Sequence, residues 1–105
     1  MRIDSHQHFW NYSQTEYPWI ATGSSLHRDY GPVDLQQILA PLGIDGSIAV
    51  QARQNPNENL FLSRLAEEYD FIKGIVGWID LRSPHVDAHA RSFSLLPKAV
   101  GVRHV

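Results

Sequence analysis

The sequence predicts an α/β fold assembled from consecutive βα units, and three observations carry that prediction. Short apolar runs, at Ile48 to Val50, Ile75 to Ile79 and Ala99 to Val102, alternate with segments whose apolar residues recur at helical spacing. Each run ends in polar residues on its C-terminal side. The first ten residues, MRIDSHQHFW, add a further strand whose Asp4, His6 and His8 fall on alternate positions. Strand and helix in strict alternation mean parallel strands joined by helical crossovers.

In the first strand, alternation sends Asp4, His6 and His8 to one face, with His6 and His8 starting roughly 6 to 7 Å apart. Two imidazoles can close that gap onto one ion or one substrate atom. Zinc takes neutral histidine nitrogen and leaves a coordination position for water, and without a metal the same pair can polarise a carbonyl oxygen. Two of six histidines falling this way is also a pattern that chance produces. Its place, where a strand gives way to polar and aromatic chain, is where barrel enzymes carry catalytic groups.

Residues 10 to 31 show neither period and mix Trp10, Tyr12, Tyr17, Trp19 and Tyr30 with small polar residues, which predicts a long loop. Such a loop suits the wall or lid of a small-molecule pocket, or packs its aromatics beneath itself. From it, His27 and Arg28 either reach a substrate or stay solvated. Pro32 and Asp34 open a short helix with Leu35, Ile38, Leu39 and Leu42 on one face, limited by Pro41 and Gly43. After the Asp45-Gly46 turn signal, a buried strand runs through Ile48, Ala49 and Val50 to end near Gln51 to Arg53.

Asn55 caps the next helix, Pro56 lies in its first turn, and Glu58 stands in the capping-box position. That helix runs to about Tyr69, with Leu62, Leu65, Ala66 and Tyr69 inward, Phe61 beside them, and Glu67 and Glu68 outward. FIKGIVGWIDL is the third strand, in which Gly74 and Gly77 allow close packing. Asp80 lies at its end on the Trp78 face, placed to accept a proton or to hold a loop. Ser83-Pro84 starts a last helix through Val86, Ala90, Phe93 and Leu96. His85 and His89 are four apart on it, a spacing that can bind metal, but on a peripheral helix they read as solvated. AVGVRHV, from about Ala99, is the fourth strand and carries Arg103 and His104.

The C-terminal strand ends thus gather His6, His8, Gln51, Arg53, Asp80, Arg103 and His104 on one edge, where parallel α/β sheets hold their ligands. No glycine-rich phosphate loop follows any strand, which argues against a nucleotide fold. With 105 residues the chain is one domain at most, 1–105. Apolar residues at 43%, charged residues at 19% and a net charge of -2 describe an ordinary soluble composition. Nine dispersed Lys and Arg against eleven acids leave no basic stripe for nucleic acid. No signal peptide or bilayer-length apolar run is present, and the absence of cysteine excludes thiolate catalysis and fits a cytoplasmic protein.

IDSHQHFW, VQAR with its downstream leucine-rich helix, IVGWIDLRSP and the closing GVRHV together resemble the amidohydrolase superfamily. Within it they are most similar to the amidohydrolase-related lactonases that open sugar lactones. The resemblance spans nearly the whole chain and implies a TIM barrel of the metal-dependent-hydrolase type, with its site at the C-terminal strand ends. It implies that His6 and His8 are the strand-one pair that is catalytic and holds a metal, and that Arg103 contacts a substrate oxygen or carboxylate. Gln51, Trp78 and Asp80 match pocket positions more loosely. The implied chemistry is attack of an activated water on a lactone carbonyl, with the histidines or a divalent metal such as zinc stabilising the oxyanion. Some related enzymes work without metal, so the resemblance leaves the cofactor open.

A full barrel takes ~250 residues and eight strands, and only about four βα units are present. The expectation is therefore the N-terminal half of a barrel, lacking the family's histidine from the middle strands and aspartate from the last. Its open sheet edges invite self-association. Three functions remain in view: part of a lactonase, an inactive remnant or small-molecule-binding half-barrel, and a decarboxylase or phosphoesterase that shares the opening His-x-His.

Overall fold

A computed structural model describes residues 1–105. Strands β1 (Ile3–Gln7), β2 (Gly46–Val50), β3 (Ile72–Gly77) and β4 (Ala99–Val102) form one sheet in chain order, and every neighbouring pair is parallel. Helices α1 (Pro32–Leu39), α2 (Asn57–Glu68) and α3 (Val86–Ser94) occupy the three connections. These are the parallel βα units that the alternation of periods predicts, and they are consistent with the partial α/β barrel that the resemblance implies. None of the helices is long and apolar enough to cross a membrane.

The core lies between sheet and helices. Ala49, Ile72 and Ile75 from the strands meet Leu62 and Ala66 of α2, with Phe9, Ile79 and Phe93 of α3 completing the cluster. Burying an aliphatic or aromatic side chain of this size is worth about 1.5–3 kcal/mol, so these few contacts hold the layers together. The opposite face of the sheet is thinly covered: Ile48 and Val76 are half-buried and Val100 is 64% exposed. A depth of 20 Å, against extents of 45 and 37 Å, is that of one sheet and one helical layer. The radius of gyration, 14.3 Å, exceeds the roughly 13 Å of a closed globule of this length.

Both glycines of β3 serve close approach. A Cβ on Gly74 would lie 3.0 Å from Ile48 Cδ1 and 3.2 Å from Val100 Cγ1, so the bare backbone lets the flanking strands' side chains close over it. On the helix side a Cβ at Gly77 would overlap Asn59, whose side chain accepts the Trp78 N–H at 2.7 Å and donates to the Trp78 carbonyl at 2.8 Å. That pair of bonds fastens α2 to the end of β3.

β3 stops at Gly77, so Trp78 and Asp80 lie past the strand that the sequence carries on to them, and three further details depart from expectation. The β1–β2 register shifts between Asp4 and Gln7, placing one extra residue in β1. Strict alternation fails there, and Asp4 does not join the histidines: its carboxylate accepts from the Gln7 side chain and from the His6 N–H. Along α1 and the 3-10 turn that follows it (Ala40–Leu42), Leu39 is buried and Leu35 packs on the core, whereas Ile38 and Leu42 are 60% and 59% exposed. Glu58 forms no capping box. The Asn57 N–H bonds Asn55 instead, and the Glu58 carboxylate turns inward.

Lys98, in the turn before β4, takes a left-handed φ of 63°. That conformation costs a non-glycine residue roughly 1–2 kcal/mol. It aims the ammonium at two carbonyls, Ala66 at 2.7 Å near the end of α2 and Ile72 at 2.8 Å, which offset the strain.

Candidate active site

The polar groups at the strand ends converge where the topology sends them. His6 is the penultimate residue of β1 and His8 lies just past its end, with ring centroids 4.9 Å apart and planes at 81°. Their Nε2 atoms stand 3.2 Å apart. The Nδ1 of His8 lies 3.0 Å from the Val50 carbonyl at the end of β2. A carbonyl only accepts, so that nitrogen carries the proton and the Nε2 of neutral His8 presents its lone pair. Burial holds the His8 pKa below its ordinary value, and the nearby charges of His6 and Arg103 push the same way against the opposing Val50 bond. His8 is therefore a neutral ligand or acceptor at neutral pH.

Two nitrogens on one tetrahedral zinc, each about 2.0–2.1 Å from the ion, lie about 3.3 Å from each other. The 3.2 Å separation of His6 Nε2 and His8 Nε2 fits that demand as well as it fits a hydrogen bond between the rings. The pair is two ligands and no more, for no group of three or more His, Asp or Glu in the chain is placed to hold a metal.

Arg103, just past β4, reaches across the end of β3 to Gln51 after β2. Its Nε donates to Gln51 Oε1 and its Nη2 to the Gln51 carbonyl at 3.3 Å. Gln51 is only 1% exposed, so its amide serves as the fixed brace of the guanidinium. Arg103 and Gln51 border a cavity of about 450 Å³ together with His8, Trp10 and Trp19. Trp78 donates its Nε1–H to His104 Nδ1 at 3.1 Å.

Neither Trp78 nor Asp80 lines that cavity; both border another, and Asp80 is not part of this group. Its carboxylate accepts the Arg82 N–H at 3.0 Å, which is the loop-holding role, and it borders a separate cavity of about 350 Å³ between α2 and α3 that neither His6 nor His8 lines. His89 lies on that second cavity, and the exposed His85 precedes α3. His27 accepts from the Gly23 N–H at 3.0 Å, while Arg28 stacks 3.9 Å over the Tyr30 ring and pairs with Asp34. His27 is used inside its own loop, and Arg28 between that loop and α1.

That loop is closed by Trp10 and Tyr30, which exchange both backbone hydrogen bonds at 3.0 and 2.9 Å. Within it Tyr17 and Ile20 are buried, while Trp19 is 66% exposed on the cavity. What tethers it carries no signature in the sequence: Glu58, wholly buried, accepts the Ala52 N–H at 2.6 Å and the Arg53 Nε–H at 3.0 Å, and Arg53 Nη1 reaches Glu16 at 3.4 Å. An acid three residues after Asn55 looks the same in sequence whether it caps a helix or turns inward.

No protein-family model matches the chain. Among curated proteins it is 47% identical over 87 residues to an L-fucono-1,5-lactonase of Burkholderia multivorans, covering 82% of this chain and 29% of that protein. It is 35% identical over 103 residues to an L-fucono-1,5-lactonase of Burkholderia ambifaria, covering 97% of this chain and 36% of that one. Among solved structures, an amidohydrolase from Burkholderia multivorans crystallised with bound zinc superposes with a TM-score of 0.87 at 43% identity, over 99% of this chain and 37% of that one. A second crystal form of that protein, with bound HEPES, gives a TM-score of 0.89 over 99% and 36%. The chain thus spans about a third of the length of the relatives it matches.

Proposed function

We propose, for a chain that matches the N-terminal part of amidohydrolase-family proteins, that it supplies the oxyanion-binding and substrate-holding side of a site that hydrolyses a sugar lactone. The observation that carries this reading is the meeting of the His6 and His8 Nε2 atoms at 3.2 Å beside a cavity that Arg103 and Gln51 also border. Relatives named as L-fucono-1,5-lactonases support the substrate class.

The lactone carbonyl would be turned toward the two imidazoles, and the ring oxygens toward Arg103. Negative charge grows on the carbonyl oxygen when water attacks, and groups already aimed at that point stabilise it without reorganising. A neutral His8, its Nδ1–H held by Val50, turns an Nε2 lone pair to that point, so its part is to ligate a metal or to accept the attacking water's proton and not to donate to the oxyanion. A zinc held by His6 and His8, completed by a ligand from outside this chain, would add Lewis-acid polarisation of the same oxygen. Arg103, fixed on Gln51, binds substrate oxygens with the donors left over. No carboxylate of this chain stands ready as the base: Asp4 is bonded to Gln7, Asp80 to its own loop and Glu16 to Arg53.

The test is complementation. The 105-residue chain is assayed on L-fucono-1,5-lactone alone and co-produced with the C-terminal part of the Burkholderia multivorans relative. Hydrolysis that depends on both pieces and on His6 and His8 is expected. Hydrolysis that survives replacement of both histidines by alanine overturns the proposal.

A further inference from the structure

The most heavily buried charge in the molecule is the carboxylate that tethers the aromatic loop. Glu58 is 0% exposed, and removing a carboxylate from water costs several kcal/mol that its partners repay only in part. A well-packed apolar pair in the same place would hold the fold at least as well. What an ion pair adds is direction. Glu58 takes the Ala52 N–H with one oxygen and Arg53 Nε with the other, so both the β2–α2 loop and the Arg53 guanidinium are fixed by one rigid acceptor. The free arm of Arg53 then meets Glu16, three residues before Trp19 in the aromatic loop. Tyr17 shares with Arg53 and Glu58 a small polar cavity of about 160 Å³, and burial together with the Glu58 charge pushes its phenol up to about 12, so it stays neutral there.

We propose that Glu58 is a positioning residue of the cavity: through Arg53 it fastens the aromatic loop at Glu16 and so holds Trp19 as the wall against which the ring of a sugar lactone lies. This deepens, and rests on, the function proposed above. The indole is 66% exposed on the cavity, and its broad apolar face suits the C–H face of a sugar ring. Arg103 and the histidines contact polar atoms; the Glu58–Arg53–Glu16 chain sets where the ring sits relative to them.

The experiment separates positioning from mere stability. Arg53→Met alone strands a buried carboxylate and should lower the melting temperature. The double variant Glu58→Gln/Arg53→Met removes both charges and should recover most of it. In the complemented protein that double variant should still raise KM for L-fucono-1,5-lactone on the order of tenfold with kcat much less affected, because the ring is misplaced and the reacting groups are not. Arg53→Lys should rescue KM in part, since lysine keeps the charge and loses the fork. In the 105-residue chain itself, the double variant should make Trp19 more accessible to acrylamide quenching and the loop easier to cleave at Arg28. If the double variant regains wild-type KM along with its melting temperature, the ion pair is structural and the proposal fails. If the complemented wild type opens no lactone, the function proposed above fails on its own, and unchanged quenching and cleavage in the double variant then overturn the positioning role separately.

Discussion

Arg103 is bound twice by Gln51, side chain to side chain and side chain to carbonyl, across the width of the strand between them. The brace spends part of the guanidinium and leaves the remaining donors at a fixed angle to the cavity. Arg103→Lys keeps the charge and loses both the planar fork and the brace. KM in the complemented protein should rise on the order of tenfold, the worth of about one charge-assisted hydrogen bond. Gln51→Ala should give a similar loss, and the double variant should be less than additive because both act through one contact. Additive effects would show that Gln51 meets the substrate on its own.

His6→Ala and His8→Ala should each lower kcat on the order of 10²-fold or more, since each acts on charge that develops only in the transition state. With Nε2 atoms 3.2 Å apart the rings work on one point, so the double variant should cost less than the product of the two. Steady-state kinetics check this, and unchanged turnover in both single variants rules the pair out.

The lowered His8 pKa fixes the direction of a pH effect. A histidine whose folded pKa lies below its unfolded value of 6.5 takes up its proton later in the folded state as pH falls. Its contribution to stability is complete above pH 6.5 and is lost as pH drops through the folded value. Activity should follow the same limb, holding at pH 6.5 and failing below it. An NMR titration of His8 checks the assignment directly, and a midpoint at or above 6.5 contradicts it.

Lys98 offers a test of the fold that is free of the site. Lys98→Met removes an ammonium from the Ala66 and Ile72 carbonyls and keeps the left-handed strain, so it should destabilise the chain by on the order of 2 kcal/mol. Lys98→Gly also loses the ammonium but adopts the φ of 63° without penalty, and should lose less. Urea unfolding of the two variants ranks them, and the reverse order removes the explanation.

In the 105-residue chain β1 and β4 each pair on one side only, and the sheet face carrying Val100 is thinly covered. Unpaired strand edges template further strands. Light scattering should therefore show a mass that rises with concentration, and a constant monomer mass would count against it.

The strands and helices were legible because apolar periodicity is a local property: Leu62 and Ala66 at helical spacing, or Ile48 to Val50 in an unbroken run, declare their element without knowing what they touch. Gly74 and Gly77 were legible for the same reason, since a strand seldom omits a side chain without a neighbour in its place. The Asp4 bulge was not, because one extra residue in a ladder depends on the register of the partner strand. Glu58 was misread for the related reason that its true partners, Ala52 and Arg53, lie before the helix whose start it seemed to cap. At the site, the convergence of His6 and His8 was legible in the His-x-His spacing even though the ladder is irregular between Asp4 and Gln7 and His8 lies past the strand. The Val50 carbonyl behind His8 has no signature in sequence, because every residue carries a carbonyl.

The backbone pairing of Trp10 with Tyr30 gives residues 11–29 the character of a cassette. The chain leaves the scaffold and rejoins it at one clasped point, and between those ends the scaffold registers it through the Arg53–Glu16 pair and the buried Tyr17 and Ile20. Each doubling of a flexible insert adds only about 0.6 kcal/mol of closure entropy, and the clasp has already fixed the ends. An exchange of this segment, its length included, that keeps Glu16, Tyr17 and Ile20 should therefore leave the fold and the histidines at the neck of the cassette in place.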